Sequence, residues 1–177
     1  TFRKSFFIND DIAIPTTWYA DSIYIIEDWD FWVSDALTIE PGTIIKFTSN
    51  THMTIDSYGT IIAQGSAEKT IIFTSYKDDA HGGDNNGDGD ATSPSRGDWF
   101  NVEVNSNGNK FQYCHFYYGG GSSYLSVLEI YDGKASVTNF VFAHNTGGKS
   151  GDFYYGALDA TGAEQETIIK NNVFFDN

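Results

Sequence analysis

One acidic, glycine-rich segment, residues 78–98, holds the side chains best suited to bind a ligand. Within it, Asp84-x-Asn86-x-Asp88-Gly89 places an oxygen donor at every second position and a glycine where a tight turn is needed. This pattern is typical of the first half of a calcium loop, since Ca²⁺ takes about six to eight hard oxygen ligands. The spacing therefore predicts a calcium site.

The predicted calcium ligands are spread over this segment: Asp79, Asp84, Asn86, Asp88, Asp90 and Asp98. Ser95, not Glu, occupies the twelfth position counted from Asp84, so Asp90 or Asp98 must close the shell, with Asp78 or Asp79 as further candidates. A transition metal is disfavoured because His81 is the only soft ligand nearby. The alternative is a solvated acidic loop, which Asp, Asn and Gly also form.

The residues that could act in catalysis are charged side chains expected to face outward. The candidates are Glu103, Glu129, Asp132, Lys134 and Asp159. Glu103 and Glu129 form the best hydrolase pair if they stack on successive turns of a coil, since hydrolases use carboxylates about 5 to 9 Å apart. Ordinary surface acids of an acidic protein explain them equally well. No nucleophile elbow, phosphate loop or paired-cysteine motif is present, and the four histidines are scattered, so the sequence predicts a protein without catalytic activity.

Short apolar segments recur along the first half of the chain, and they are the elements expected to position the candidate residues. Leu37-Thr-Ile39 recurs as Met53-Thr-Ile55, and Thr43-Ile-Ile45 recurs as Thr60-Ile-Ile62 and Thr70-Ile-Ile72. Gly, Asp or Asn stands at most of the junctions. Short strands at a drifting period predict a solenoid whose turns share one core.

The second half repeats with longer intervals. Gln112–Phe116, Thr138–Phe142 and Lys170–Phe174 can be superimposed, and the extra length lies in glycine-rich loops. An antiparallel sandwich is the alternative, because Asn107-Gly108 and Asp132-Gly133 are hairpin signals. The repeats favour an all-β fold: a right-handed parallel β-helix of about seven short rungs. Residues 1–35 are predicted to form an N-terminal cap and first strands, and residues 36–177 the β-helix, with an acidic loop inserted at 76–98.

The formal net charge of −14 at pH 7 and the pI near 4.3 limit the possible partners. Ten basic residues cannot provide a surface that follows phosphates, so neither nucleic acid nor an anionic membrane is a predicted partner. No apolar run is long enough to cross a bilayer. Cys114 is the only cysteine, which excludes an internal disulfide, and its apolar neighbours predict a buried thiol.

The first hundred residues resemble a known family. Thr17-Trp18, Leu37–Phe47, Ile72–Ser75 and the acidic loop are similar to the opening of bacterial secreted proteins with right-handed parallel β-helix repeats, non-catalytic members of the pectate-lyase-like superfold. The resemblance covers residues 16–100 well and the rest loosely. It implies the fold and an extracellular or cell-surface location, but little about activity, since one fold hosts many functions.

The predicted function is that of an extracellular structural protein. The sequence stops at Val173–Asn177, partway through a rung, and an uncapped solenoid end is an edge that accepts another strand. Copies are therefore expected to stack head to tail into a calcium-stabilised fibre or surface layer, with Phe6–Ile8 covering the next subunit. A trimmed adhesin domain would end in the same way. The alternative is a carbohydrate-binding or polysaccharide-degrading module, which predicts exposed aromatics beside Glu103 and Glu129.

Overall fold

The computed structural model describes residues 3–121, 126–150, 153–154 and 156–177. Its strands are, in chain order, β1 (Lys4–Ile8), β2 (Thr16–Trp18), β3 (Ser22–Ile26), β4 (Asp30–Val33), β5 (Ala36–Ile39), β6 (Ile44–Phe47), β7 (His52–Ile55), β8 (Thr60–Gln64), β9 (Ile71–Ser75), β10 (Val102–Asn105), β11 (Asn109–Gln112), β12 (Cys114–Tyr117), β13 (Leu128–Asp132), β14 (Ala135–Thr138), β15 (Val141–Ala143), β16 (Lys149–Ser150), β17 (Phe153–Tyr154), β18 (Leu158–Asp159), β19 (Ile168–Lys170) and β20 (Val173–Phe175). Among these residues no helix is long and apolar enough to cross a membrane.

Three sheets of parallel strands form the sides of a coil. Sheet A runs β1-β3-β6-β9-β12-β15-β20, sheet B runs β18-β13-β10-β7-β4, and sheet C runs β19-β14-β11-β8-β5-β2. The chain visits sheets C, A and B in turn, so each circuit adds one strand to each sheet. This confirms the predicted parallel β-helix, and the seven strands of sheet A match the expected number of rungs. The antiparallel sandwich is wrong; only the short pair β16–β17 is antiparallel among the described strands.

A column of aromatic side chains runs through the interior beneath sheet A. The register places Phe6, Tyr24, Ile45, Phe73, Phe116, Phe142 and Phe174 at equivalent positions of successive strands. The rings of Phe73 and Phe116 lie 4.4 Å apart, and those of Phe142 and Phe174 stack at 5.0 Å. Each fully buried ring contributes about 1.5–3 kcal/mol through the hydrophobic effect, so this column is a main source of stability.

Pairing confirms the repeat predicted for the second half. Gln112 pairs with Thr138, and Thr138 pairs with Lys170. The next residues, Tyr113, Asn139 and Asn171, all have φ between 49° and 57°, a left-handed turn that bends the chain from sheet C into sheet A. Asn tolerates this conformation better than most residues, which explains its recurrence there.

The repeat predicted for the first half was wrong in register. Leu37 pairs with Ile61, not with Met53, which lies in sheet B. Thr60 begins β8 of sheet C, whereas Thr43 precedes β6 of sheet A. Leu37-Thr-Ile39 of sheet C and Met53-Thr-Ile55 of sheet B each have one inward face and carry the same alternating pattern. The shift of 16 therefore compared β5 and β7, two strands of one circuit that lie in different sheets.

The N-terminal residues continue the same three sheets. Strands β2, β3 and β4 make one circuit and pair with β5, β6 and β7. Strand β1 lies at the edge of sheet A, and Ile12 forms a single bridge to Val33 of sheet B. Cys114 is buried with a free thiol, as predicted, and burial raises its pKa.

Aromatic side chains divide between core and surface. Phe31 and Phe116 are buried, whereas Trp29 and Trp32 are exposed. Tyr155, together with the side chains of residues 153 and 154, lies outside the described part of the chain.

Candidate metal centre

The acidic loop leaves sheet A after β9 and lies on the outer face of that sheet. Ile23, Ile25 and Ile44 form a second apolar cluster outside the coil, with Ile72 packed against it. A Cβ atom placed on Gly82 would lie 2.7 Å from the Cδ1 atom of Ile23. The loop backbone therefore touches this cluster directly, and a glycine is needed at the point of contact.

Lys46 fixes the loop to the sheet. Its side chain is fully buried, and its Nζ donates hydrogen bonds to the carbonyl oxygens of Asp78 at 2.8 Å and Gly83 at 3.0 Å. Burial lowers the pKa of Lys46, although the charges of Asp78, Asp79 and Asp84 oppose that shift. The two bonds hold both ends of residues 78–83. Sequence reasoning missed Lys46; the signal was a charged residue within the apolar strand Ile44–Phe47.

Asp78 has a structural role at the base of the loop. It is buried, and its Oδ2 accepts a hydrogen bond from Thr74 Oγ1 at 2.5 Å and lies 2.6 Å from His81 Nδ1. Burial opposes ionisation, but the bonds from His81 and Thr74 hold the pKa of Asp78 below its usual value. Asp78 Oδ2 and His81 Nδ1 are therefore hydrogen-bonded to each other.

Three carboxylates converge above this base. Asp79, Asp84 and Asp88 each contribute an oxygen, and these oxygens lie within 4.8 Å of one another. Ligands on opposite sides of a calcium ion are about 5 Å apart, because each Ca–O distance is about 2.3–2.6 Å. Burial and then the charge of Asp84 raise the pKa of Asp79. The spacing is thus suited to one cation.

The backbone turn of the predicted motif shapes the cluster. Asp84 Oδ1 accepts hydrogen bonds from the amides of Gly87 at 2.6 Å and Asp88 at 3.3 Å, while Oδ2 accepts one from Gly89 at 2.9 Å. These bonds, that from Gly89 first, lower the pKa of Asp84. Gly87 and Gly89 have φ of 71° and 65°, a conformation that favours glycine. The motif therefore folds locally as its sequence predicts.

Four oxygens of the loop are buried yet accept no hydrogen bond from any residue that the structure describes. They are the Oδ1 atoms of Asp79, Asn85, Asn86 and Asp88. Asn86 Nδ2 donates to Asp88 Oδ2 at 2.9 Å, and Thr92 Oγ1 donates to the same oxygen at 2.5 Å. Those bonds hold the two side chains with their Oδ1 atoms unpartnered. Leaving a buried acceptor unpaired costs about 1–3 kcal/mol, so such atoms point to a missing partner.

The two remaining predicted ligands lie differently. Asp98 accepts hydrogen bonds from Ser75 Oγ at 2.7 Å, from Lys77 Nζ at 2.9 Å and from the Ser95 amide at 3.0 Å. It is thus engaged where the loop returns to the coil, and it is not one of the three converging carboxylates. Asp90 is exposed, and its charge contributes to the raised pKa of Asp79.

A second acidic group lies on the outward face of sheet B. Glu103 pairs directly with Glu129, which confirms that these two residues stack on successive circuits, and Glu129 pairs with Asp159. Burial, then the charges of Glu103 and Asp159, raise the pKa of Glu129 to about 7. At the other end of the same column lie Thr54 and the exposed Trp32.

Asp132 and Lys134, two further candidates, lie at the end of β13 and in the turn that follows it. Asp132 lines an open groove of about 330 Å³ together with Tyr58, Asn105 and Glu164. Lys134 Nζ is 3.2 Å from Glu166 Oε2, so this lysine is paired away from Glu103 and Glu129. These turns provide a polar groove beside the stacked carboxylates.

No protein-family model, curated protein or solved structure matches the chain. What the structure shows of the resemblance to secreted β-helix proteins is the fold class, a coil of parallel sheets with short strands.

Proposed function

We propose that this chain is a non-catalytic scaffold of an extracellular or cell-surface protein, and that its inserted loop binds one calcium ion. The observation that carries the proposal is the convergence of Asp79, Asp84 and Asp88 in a loop that holds four buried, unpartnered oxygens, two of them on Asp79 and Asp88. The proposal includes membership of the secreted β-helix proteins that the sequence resembles.

Calcium suits this donor set better than other ions. The available donors are carboxylate and amide oxygens, which are hard ligands and disfavour zinc or copper. Magnesium requires a stricter octahedral shell and usually retains several waters. A surface loop with few protein ligands fits the weak class of calcium sites, with Kd of about 10⁻⁴–10⁻³ M, that extracellular modules use. The location and the ion are therefore mutually consistent.

The ion would stabilise the loop on the coil. It would neutralise the repulsion among Asp79, Asp84 and Asp88, which bracket the contact between Gly82 and Ile23. Binding to the folded chain alone adds about 2.7 kcal/mol at a ligand concentration of 100 times Kd. Calcium would thus keep the outer apolar cluster of sheet A covered.

Thermal unfolding with calcium and with chelator tests the calcium site. We expect Tm to rise with calcium concentration in the wild type, and Asp79→Asn or Asp88→Asn to weaken calcium binding at least tenfold by isothermal titration calorimetry. Asp10→Asn removes the same charge at an exposed position outside residues 76–98 and should bind calcium as the wild type does. Equal calcium affinity in all of these proteins would refute the site.

The proposed assembly is a head-to-tail stack of copies. At the end of the coil formed by β19 and β20, the side chains of Ile168, Val173, Phe174 and Phe175 are exposed, and Phe174 stacks on Phe142 on one side alone among the described residues. Such an edge pairs readily with further strands. Electron microscopy should show filaments that shorten on chelation. Uniform single particles under both conditions would rule out self-assembly.

A second candidate function is carbohydrate recognition, favoured by one observation. The outward column of sheet B aligns the exposed Trp32 with Glu103, Glu129 and Asp159, and Trp29 beside it is 65% exposed. Aromatic faces stack on sugar rings, and carboxylates accept hydrogen bonds from hydroxyls. A glycan array should then show binding that Trp32→Ala abolishes and that Tyr19→Ala, a change of an exposed aromatic elsewhere, leaves intact. If no glycan binds, carbohydrate recognition is refuted and the scaffold function is the one that remains.

A further inference from the structure

We propose that Glu103, Glu129 and Asp159 form a proton-binding ladder that ties the stability of the later circuits of the coil to pH. This inference concerns sheet B and does not depend on calcium binding by the loop.

The register sets the geometry of the ladder. Glu103 of β10 pairs with Glu129 of β13, which pairs with Asp159 of β18, all in parallel alignment. Their strand neighbours Val104 and Ile130 are buried in the core, so the acids face outward. Adjacent strands are about 4.8 Å apart, so the three acidic residues follow one another in a single row across the sheet, with their backbones at about that spacing.

The middle position takes the proton. Glu103 Oε1 accepts a hydrogen bond from Asn105 Nδ2 at 2.7 Å, so the carboxyl group of Glu103 already has a partner on its own strand. The Oε2 atom of Glu129 is buried and accepts no hydrogen bond within the described part of the chain. Glu129 lies between two like charges, Glu103 and Asp159, in the row. Burial and like charge both favour the neutral acid.

No described basic group compensates this row. The charged side chains that act on Glu129 are Glu103 on β10 and Asp159 on β18. The next residues of the column beyond Glu103 are Thr54 and Trp32, which carry no charge. Lys134, in the turn after β13, is paired with Glu166. The proton is therefore the group that relieves the repulsion.

The sign of the pH dependence follows from the raised pKa. Glu129 has an ordinary value near 4.5 in the unfolded chain and a pKa of about 7 in the folded coil. Its contribution to stability is fully present below about pH 4.5 and is lost as the pH rises through 7. Strand β18 pairs with β13 through two residues, one of which is Asp159, so ionised Glu129 would weaken this pairing directly. Mildly acidic pH would therefore stabilise the later circuits of the coil.

Thermal unfolding between pH 4.5 and 8.5 tests the ladder with wild type, Glu129→Gln and a matched control, Glu68→Gln, whose side chain is exposed in a turn. We expect the Tm of the wild type and of the control to fall by about 3 °C or more between pH 5 and 8, and most of this fall to disappear in Glu129→Gln. The series is run in chelator and again in saturating calcium. An unchanged difference between wild type and Glu129→Gln in both buffers separates the ladder from the calcium proposal.

A direct titration keeps the inference open to refutation even if Glu129→Gln folds poorly. The carboxyl carbon of Glu129, followed by nuclear magnetic resonance in the wild-type chain, should titrate near pH 7. A titration near 4.5, or an equal pH slope in wild type and Glu129→Gln, would overturn the proposal.

Discussion

The Nζ atom of Lys46, on β6, donates a hydrogen bond at 3.0 Å to the carbonyl oxygen of Gly83, in the inserted loop. A second bond, to the carbonyl oxygen of Asp78, fixes the other end of the same segment. Asp79 lies within that segment and Asp84 directly follows it, so Lys46 helps to position both carboxylates. The hydrogen bonds of Lys46 position the carboxylates and so favour calcium binding. The positive charge of Lys46 repels a cation and so opposes calcium binding.

Replacement of Lys46 by Met separates these effects. If positioning dominates, as we expect, Lys46→Met weakens calcium binding about tenfold, which corresponds to about 1.4 kcal/mol. Lys110→Met removes the same charge from an exposed site and serves as the control. Isothermal titration calorimetry measures both. Tighter calcium binding in Lys46→Met would mean that electrostatic repulsion outweighs positioning.

The contact of the loop with the outer apolar cluster can be tested with two adjacent glycines. Gly82 and Gly83 have nearly equal φ of 88° and 84°, but a Cβ on Gly82 meets Ile23 at 2.7 Å, whereas one on Gly83 meets nothing within 4 Å. Valine at either position strains the backbone, so Gly82→Val should be less stable than Gly83→Val by about 1 kcal/mol. Urea unfolding gives the difference. Equal stability would show that the loop does not press on sheet A.

The aromatic column should dominate the stability of the coil. Phe116 is fully buried, and its ring lies 4.4 Å from that of Phe73 and 4.9 Å from that of Phe140. Phe116→Ala should lower the free energy of unfolding by about 3–5 kcal/mol, the usual cost of such a cavity. Phe7→Ala, on the exposed face of β1, should cost less than about 1 kcal/mol. Similar losses in both variants would contradict the central role of the column.

Asn145 should be needed for the turn after sheet A. Its buried side chain accepts a hydrogen bond from the Gly119 amide and donates one to the Phe116 carbonyl oxygen, both at 2.9 Å. Asn145→Ala leaves these two backbone groups unpaired, so we expect a loss of about 2 kcal/mol in unfolding free energy. Asn107→Ala, at an exposed turn, should remain within about 0.5 kcal/mol of wild type. Chemical denaturation compares the two, and a neutral Asn145→Ala would show that the turn does not depend on this side chain.

Local features were predictable because neighbouring residues create them. In a strand with one inward face, apolar residues recur at every second position. This pattern allowed the all-β solenoid and the repeat of the second half to be predicted. The turn from Asp84 to Gly89 is likewise built from consecutive residues, whose amides bind the first carboxylate of the motif. The calcium motif could therefore be recognised without knowing where the loop lies, although calcium itself stays a prediction.

Only the tertiary structure decided which segments meet. The same alternating pattern occurs in strands of sheets B and C, so it carried no information on whether Leu37 pairs with Ile61 or Met53. Loops of variable length separate the strands that pair in each sheet, so no constant sequence spacing identifies the residues that stack. For that reason the sequence determined the strands and the motif, whereas the coil decided that Lys46 holds the loop, that Lys77 engages Asp98, and that Asp159 joins the row of Glu103 and Glu129.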